Sequence, residues 1–139
     1  MGFKCPQAYP AWALLEGAAK VGVTPEELHQ SILNDPLVNE DCLFLDVVVT
    51  QAVLDGTDEE QAAPVLVWLH GGGYDFGSKD DDVYNPSGLI ARSKLEDSHG
   101  IIYVAINYRL GLFGFLNGNG DEALLPNAGL HDQRLALNW

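Results

Sequence analysis

Apolar and polar positions along the chain fall into blocks with two different periods. Residues 64–69 (PVLVWL) and 101–107 (IIYVAIN) are continuous apolar runs of strand length, the first ending at a string of glycines. Runs of this length and flank predict strands buried on both faces. Residues 43–50 are rich in Val, Leu and Phe with partial alternation, which predicts a third strand. Between the two continuous runs, residues 87–95 carry Leu89, Ile90 and Leu95 at helical spacing, with Ser87 placed to cap them. Strand, helix, strand is the parallel crossover pattern, so the fold class is α/β, with a mostly parallel central sheet and flanking helices.

The remaining blocks are helices and loops. Small and apolar residues at 11–20 predict a short helix that Gly17 weakens. Thr24-Pro25-Glu26-Glu27 supplies a capping threonine, proline at the first helical position and a glutamate third in the helix, predicting a helix over Pro25–Leu33 that Asn34-Asp35-Pro36 ends. The acidic segment 55–63 predicts a surface loop. A last helix is expected from Asn127 through Trp139, burying Leu130, Leu135 and Leu137 or their neighbours. No repeat or low-complexity tract interrupts the chain, and 139 residues suffice for one domain burying roughly two-thirds of its unfolded surface.

Charge and cysteine content narrow the classes. Seven basic and twenty acidic residues give a net charge of −13, which repels phosphate backbones and excludes nucleic acid as a partner. The runs Asp58-Glu59-Glu60 and Asp80-Asp81-Asp82 read as solvated surface. No apolar stretch approaches the roughly 20 residues a transmembrane helix needs, and residues 1–6 lack the basic segment and apolar run of a secretory signal peptide. Cys5 and Cys42 fit one disulfide or two free buried thiols equally well. Neither a metal nor an organic cofactor is implied, because no histidine and carboxylate cluster stands at ligand spacing.

The chemistry concentrates in Leu69-His70-Gly71-Gly72-Gly73-Tyr74, directly after the first buried strand. Three glycines in a row cost conformational entropy in any ordered structure. Either they form a tight turn needing positive φ, or they expose backbone N–H groups to an anion that side chains would otherwise keep away. The position favours the second reading, since α/β folds place ligands at strand ends and His-Gly-Gly-Gly there matches an oxyanion-hole loop. Phosphate-loop and dinucleotide patterns do not appear at a strand-to-helix junction.

Four blocks together carry a family resemblance. Glu40-Asp41-Cys42-Leu43-Phe44-Leu45-Asp46-Val47, the PVLVWLHGGGYDFG run over 64–77, the NYRLGLFGFL run over 107–116 and the NAGLHDQRLALNW run over 127–139 resemble, in order, motifs of the type-B carboxylesterase and fungal-lipase family. The resemblance implies a partial α/β-hydrolase fold, truncated before the nucleophile elbow, with residues 1–139 forming the N-terminal portion of a single carboxylesterase domain. It further implies that the N–H groups of Gly72 and Gly73 stabilise a tetrahedral oxyanion while Gly71 shapes the turn. Cys5 and Cys42 match a family disulfide, so residues 5–42 would be a closed lid loop in an oxidising compartment. Tyr74 and Phe76 would line the acyl or alcohol pocket, and Arg109 and Asp132 match a structural ion pair rather than chemistry. His70 matches a loop position, since the family's catalytic order runs serine, acid, histidine. Asn39 and Asp46 depart from the pattern, where the family often carries serine and asparagine.

The implied activity is carboxylic ester hydrolysis through an acyl-enzyme, on a small-molecule or lipid ester, by a secreted family. That chemistry needs a serine on a Gly-x-Ser-x-Gly elbow, a general base and an orienting acid. Ser31, Ser78, Ser87, Ser93 and Ser98 all lack flanking glycines at that spacing, and His29, His99 and His131 match no catalytic position. The 139-residue chain alone is therefore expected to be inactive. The competing readings are a non-catalytic binding or adhesion module of the same fold and a truncated gene product.

Overall fold

A computed structural model describes residues 2–56, 62–95, 98–117 and 124–139. The chain builds a three-stranded sheet in the order β1-β3-β2, formed by β1 (Leu45–Val48), β2 (Val65–Leu69) and β3 (Ile102–Ile106). β2 runs parallel to β3, Val65 opposite Ile102 and Leu69 opposite Ile106. β1 runs antiparallel to β3 on the other side, Leu45 opposite Ile106. The sheet is thus mixed, and only the β2/β3 pair meets the expectation of parallel strands. The connection between that pair passes through the helix α4 (Ser87–Ser93), as the alternation of patterns predicts.

Burial follows the strand order. β3, with a neighbour on each side, holds Tyr103, Val104, Ala105 and Ile106 in the core. β2 differs from its expectation: its apolar run is not covered on both faces, and Val65 is 58% exposed. A continuous apolar sequence reports the environment a strand is suited to, and this strand has one paired edge among the described residues.

The helices follow their local signals where the signals are chemical. α1 (Ala11–Val21) ends at Gly22, whose φ of 75° lets its N–H reach the Ala18 carbonyl at 2.9 Å, a left-handed cap that a Cβ would penalise. α2 (Pro25–Leu33) has the full capping box. The Glu27 N–H donates to Thr24 Oγ1 at 3.2 Å and the Thr24 N–H donates to Glu27 Oε2 at 2.8 Å. That backbone bond, with the Thr24 hydroxyl, holds the Glu27 carboxyl below its usual range.

Three short elements have no counterpart in the periodicity: α3 (Gln51–Asp55), a 3₁₀ turn at Asp82–Tyr84 and α5 (Gly111–Phe115). The strand expected over 43–50 stops at Val48, because Thr50 caps α3. Its hydroxyl accepts from the Val53 N–H at 3.2 Å and donates to the His99 carbonyl at 2.7 Å. Of the loop expected over 55–63, residues 57–61 lie outside the described residues, Asp58-Glu59-Glu60 among them. Ser87 does not cap α4. Its N–H and hydroxyl both donate to Asn85 Oδ1, and Pro86 occupies the cap position.

The last helix, α6 (Ala128–Asn138), corrects the expected core. Leu130, Leu135 and Leu137 are 48%, 68% and 61% exposed, and the face turned inward carries Ala128, Gly129 and Asp132. Small residues line that face because the helix approaches closely: a Cβ on Gly129 would meet the Arg109 carbonyl oxygen at 2.5 Å. No helix among the described residues is long and apolar enough to cross a membrane.

Cys5 and Cys42 form a disulfide whose members are both buried. Beside it, the Lys4 N–H donates to the Leu37 carbonyl at 2.7 Å and the Asn39 N–H donates to the Lys4 carbonyl at 3.0 Å. α1 and α2 lie within the loop so closed. Removing the cross-link releases loop-closure entropy to the unfolded chain, so the double variant Cys5→Ser/Cys42→Ser is expected to lose about 4 kcal/mol of stability. Urea titration of the oxidised protein and of the variant measures it, and equal midpoints would contradict the expectation.

Candidate active site

The parallel pairing of β2 and β3 brings their C-terminal ends together, Leu69 opposite Ile106. The segments leaving the two strands therefore meet. The Tyr108 hydroxyl donates to the His70 carbonyl at 2.9 Å, and the two rings stack at 4.6 Å. His70 Nδ1 lies 3.0 Å from the Gly71 carbonyl, so that nitrogen carries the hydrogen, since a carbonyl can only accept. Burial pulls the His70 pKa below 6.5, outweighing the upward effects of the Gly71 bond and of Asp81. Burial likewise raises the Tyr108 phenol.

From His70 the backbone turns back on itself. Gly72 has a φ of 126°, and a Cβ there would overlap the Phe76 carbonyl. The Gly72 carbonyl accepts from the N–H groups of Asp75 and Phe76 at 3.2 and 3.3 Å. Gly77, with a φ of 117°, closes the loop so tightly that a Cβ would overlap the Gly71 carbonyl and His70 Nδ1. At the turn itself Tyr74 adopts a φ of 68°, a left-handed conformation that is unusual for a side chain of its bulk.

The loop is held from outside by donors and acceptors on three other segments. Gly77 N–H donates to Gln7 Oε1 at 2.9 Å, and Gln7 Nε2 donates back to the Gly77 carbonyl at 3.3 Å. Ala8 N–H donates to the Asp75 carbonyl at 2.9 Å, and Gly111 N–H donates to the Tyr74 carbonyl at 2.6 Å. Gly71 N–H donates to the Tyr84 hydroxyl at 3.3 Å. The N–H groups of Gly72, Gly73 and Tyr74 are different, since none of them donates a hydrogen bond to the described residues. Both glycines line a cleft of about 400 Å³ between the loop, Tyr108 and Gln133 of α6. Adjacent backbone N–H groups with no acceptor in the described residues can donate to an anion that enters the cleft.

The structure separates the two expected pocket aromatics. Tyr74 lines the cleft, with its ring 4.9 Å from Phe115. Phe76 does not line it. Its ring stacks on Tyr9 at 4.9 Å and meets the edge of Trp12 at 6.0 Å, against the disulfide-closed segment. The reversal of the backbone between Gly72 and Phe76 is what divides them. Arg109 Nε and Nη2 donate to the two oxygens of Asp132, each at 2.7 Å, and the Arg109 N–H adds a third bond at 3.1 Å. That hydrogen bonding raises the guanidinium pKa further, and it joins α6 to the end of β3. Among the described residues no group of three or more His, Cys, Asp or Glu side chains could hold a metal.

Gln7, Tyr84 and Tyr108 are site residues that the sequence alone does not single out. All three support the loop with a hydroxyl or amide on a distant segment, and only Tyr108, within the Asn-Tyr-Arg motif, stands close to a legible signal.

The carboxylesterase family model matches residues 1–139. The chain is 46% identical to carboxylesterase patB of Aspergillus clavatus and 42% identical to carboxylesterase patB of Penicillium expansum, each over the whole chain. It spans about 29% of the length of these relatives. Among solved structures, a thermophylic PNB esterase superposes over all of this chain and 23% of its own, with a TM-score of 0.65 at 34% identity. The fold is thereby that of part of an α/β-hydrolase.

The His70 pKa has a consequence for stability. Above the ordinary value of 6.5 the ring is neutral in folded and unfolded chains alike. As pH falls below that value the unfolded chain takes up a proton that the folded one resists, so stability is lost through this window. Thermal unfolding followed from about pH 7.5 to 5 should therefore fall more steeply for the native protein than for His70→Asn, whose amide can still reach the Gly71 carbonyl. Parallel profiles would show that His70 does not carry this dependence.

Proposed function

This chain belongs to the carboxylesterase family, and we propose that the whole protein is a serine carboxylic ester hydrolase in which Gly72 and Gly73 supply the oxyanion hole. The observation that carries the proposal is the pair of unpaired N–H groups at Gly72 and Gly73 in the cleft at the end of β2. When a nucleophile adds to an ester, the carbonyl oxygen takes up negative charge. Fixed backbone donors at that point stabilise the transition state more than the ground state, and one such donor is worth about a hundredfold to a thousandfold in rate. A glycine at each position leaves the amides open to the substrate, and the absence of a Cβ on Gly72 allows the loop to close over Phe76.

The other residues take supporting roles. Tyr74, on the wall of the cleft, contacts the ester, whereas Phe76 joins the loop to the disulfide-closed segment through Tyr9 and Trp12. Residues 5–42 act as a lid, a role supported by their contacts with the loop at Asp75, Phe76 and Gly77 and by the exposure of Trp12 and Leu15 on α1. Arg109 and Asp132 serve the scaffold. The serine nucleophile, its base and its orienting acid lie outside residues 1–139, so this chain alone turns over no ester. The substrates are small-molecule or lipid esters, a reading supported by relatives named carboxylesterase and lipase.

The test uses p-nitrophenyl acetate. The whole protein should hydrolyse it with a burst that a serine-directed phosphonate abolishes, residues 1–139 alone should not, and Gly72→Ala in the whole protein should lower kcat by about a hundredfold or more. A whole protein that folds yet neither hydrolyses esters nor reacts with the phosphonate would be a binding module. Full activity in Gly72→Ala would remove the oxyanion role.

A further inference from the structure

We propose that Gln7 is a positioning residue of the oxyanion hole: its carboxamide fixes the Gly77 peptide, and through Gly77 it sets the placement of the Gly72 and Gly73 N–H groups. The proposal rests on the functional reading of those two glycines.

The loop over 71–77 is close to a ring. Its last residue touches its first, since no Cβ fits between Gly77 and the Gly71 carbonyl, and Phe76 lies directly over Gly72. A displacement of Gly77 is therefore passed to Gly71 and Gly72 without slack. Gly77 is buried, so its N–H has no recourse to water, and Gln7 Oε1 is the acceptor it finds. The amide end of Gln7 is equally engaged, donating to the Gly77 carbonyl at 3.3 Å and to the Cys5 carbonyl at 3.2 Å. One side chain thus brackets both polar groups of the ring-closing residue and ties them to a backbone that the disulfide anchors two residues away.

The requirement is specific to glutamine. Glutamate can accept from the Gly77 N–H but has no amide hydrogen for either carbonyl, and alanine can do neither. The surrounding contacts do not depend on this side chain: the Ala8 N–H holds the Asp75 carbonyl, and the Tyr9 ring stacks on Phe76. Loss of the carboxamide should therefore leave the segment docked while freeing Gly77, which separates positioning from a general loss of structure.

The experiment compares the whole protein with Gln7→Ala, Gln7→Glu and Thr50→Ala, the last removing the α3 cap outside the disulfide-closed segment. Steady-state hydrolysis of p-nitrophenyl acetate is normalised to active sites titrated with a serine-directed phosphonate, and hydrogen exchange is followed in peptides covering residues 70–77. Gln7→Ala should lose about tenfold to a hundredfold in kcat per titrated site while KM stays within about twofold, with faster exchange in 70–77. Gln7→Glu should fall between it and the native protein, and Thr50→Ala should lower Tm without changing kcat per site. If Gln7→Ala does not fold, Gln7→Glu carries the same comparison. An unchanged kcat per site in the Gln7 variants overturns the proposal, as does a kcat loss shared by Thr50→Ala. If the native protein hydrolyses no ester, the functional reading fails by itself. The exchange data then still decide for Gln7: acceleration in 70–77 upholds its grip on the loop and unchanged exchange overturns it.

Discussion

Strand β3 is paired on both edges, and the three residues after it each bind a different part of the molecule. Asn107, buried, accepts the Lys79 N–H on its side-chain oxygen at 2.9 Å and donates its amide to the Phe3 carbonyl at 2.9 Å. Tyr108 donates to His70 at the start of the glycine loop. Arg109 takes the carboxylate of Asp132 on α6. Because a buried polar group without a partner costs about 1 to 3 kcal/mol, each of these bonds fixes its partner segment relative to the central strand. The cleft exists where these segments converge, so its geometry depends on β3 remaining in register with β2.

Around that centre the buried polar side chains of the described residues are paired, which limits what can move. Lys79, its side chain wholly enclosed, places Nζ 2.6 Å from Asp46 and 2.9 Å from Asp80. Burial alone would lower its pKa, and the hydrogen bonds to the two aspartates outweigh that effect and raise it. Among the described residues no buried side-chain nitrogen or oxygen lacks a partner. The glycine loop differs in kind, since the backbone N–H groups of Gly72, Gly73 and Tyr74 donate to none of the described residues. Both glycines line the cleft at the end of β2.

The parts legible in the sequence were those governed by local chemistry. Thr24 and Glu27 cap α2 through groups three residues apart, and the boundaries of that helix coincide with the expected ones. The glycine loop was legible for the same reason, since conformations closed to other residues leave a compositional mark. Burial was not legible to the same degree. Leu130, Leu135 and Leu137 mark an apolar face by composition, but close packing of α6 against Arg109 selects small residues, so Ala128 and Gly129 turn inward instead. Ser87 has the chemistry of a cap, yet Asn85 captures its hydroxyl first. Gln7 was illegible because its partner lies 70 residues away, and a lone glutamine carries no pattern.

The division of labour in the loop arises from these constraints. A backbone donor has no rotamers to fix and cannot swing away to find water, as a side-chain donor can. The same choice moves the burden of placement elsewhere. Glycines admit many conformations, so the loop needs restraint from other segments: Tyr84 at Gly71, Gly111 at Tyr74, Ala8 at Asp75 and Gln7 at Gly77. Two of these four restraints come from the segment closed by Cys5 and Cys42, which couples the placement of the donors to a covalent bond outside the cleft. Freedom within the glycine run is thus offset by restraint on the residues around it.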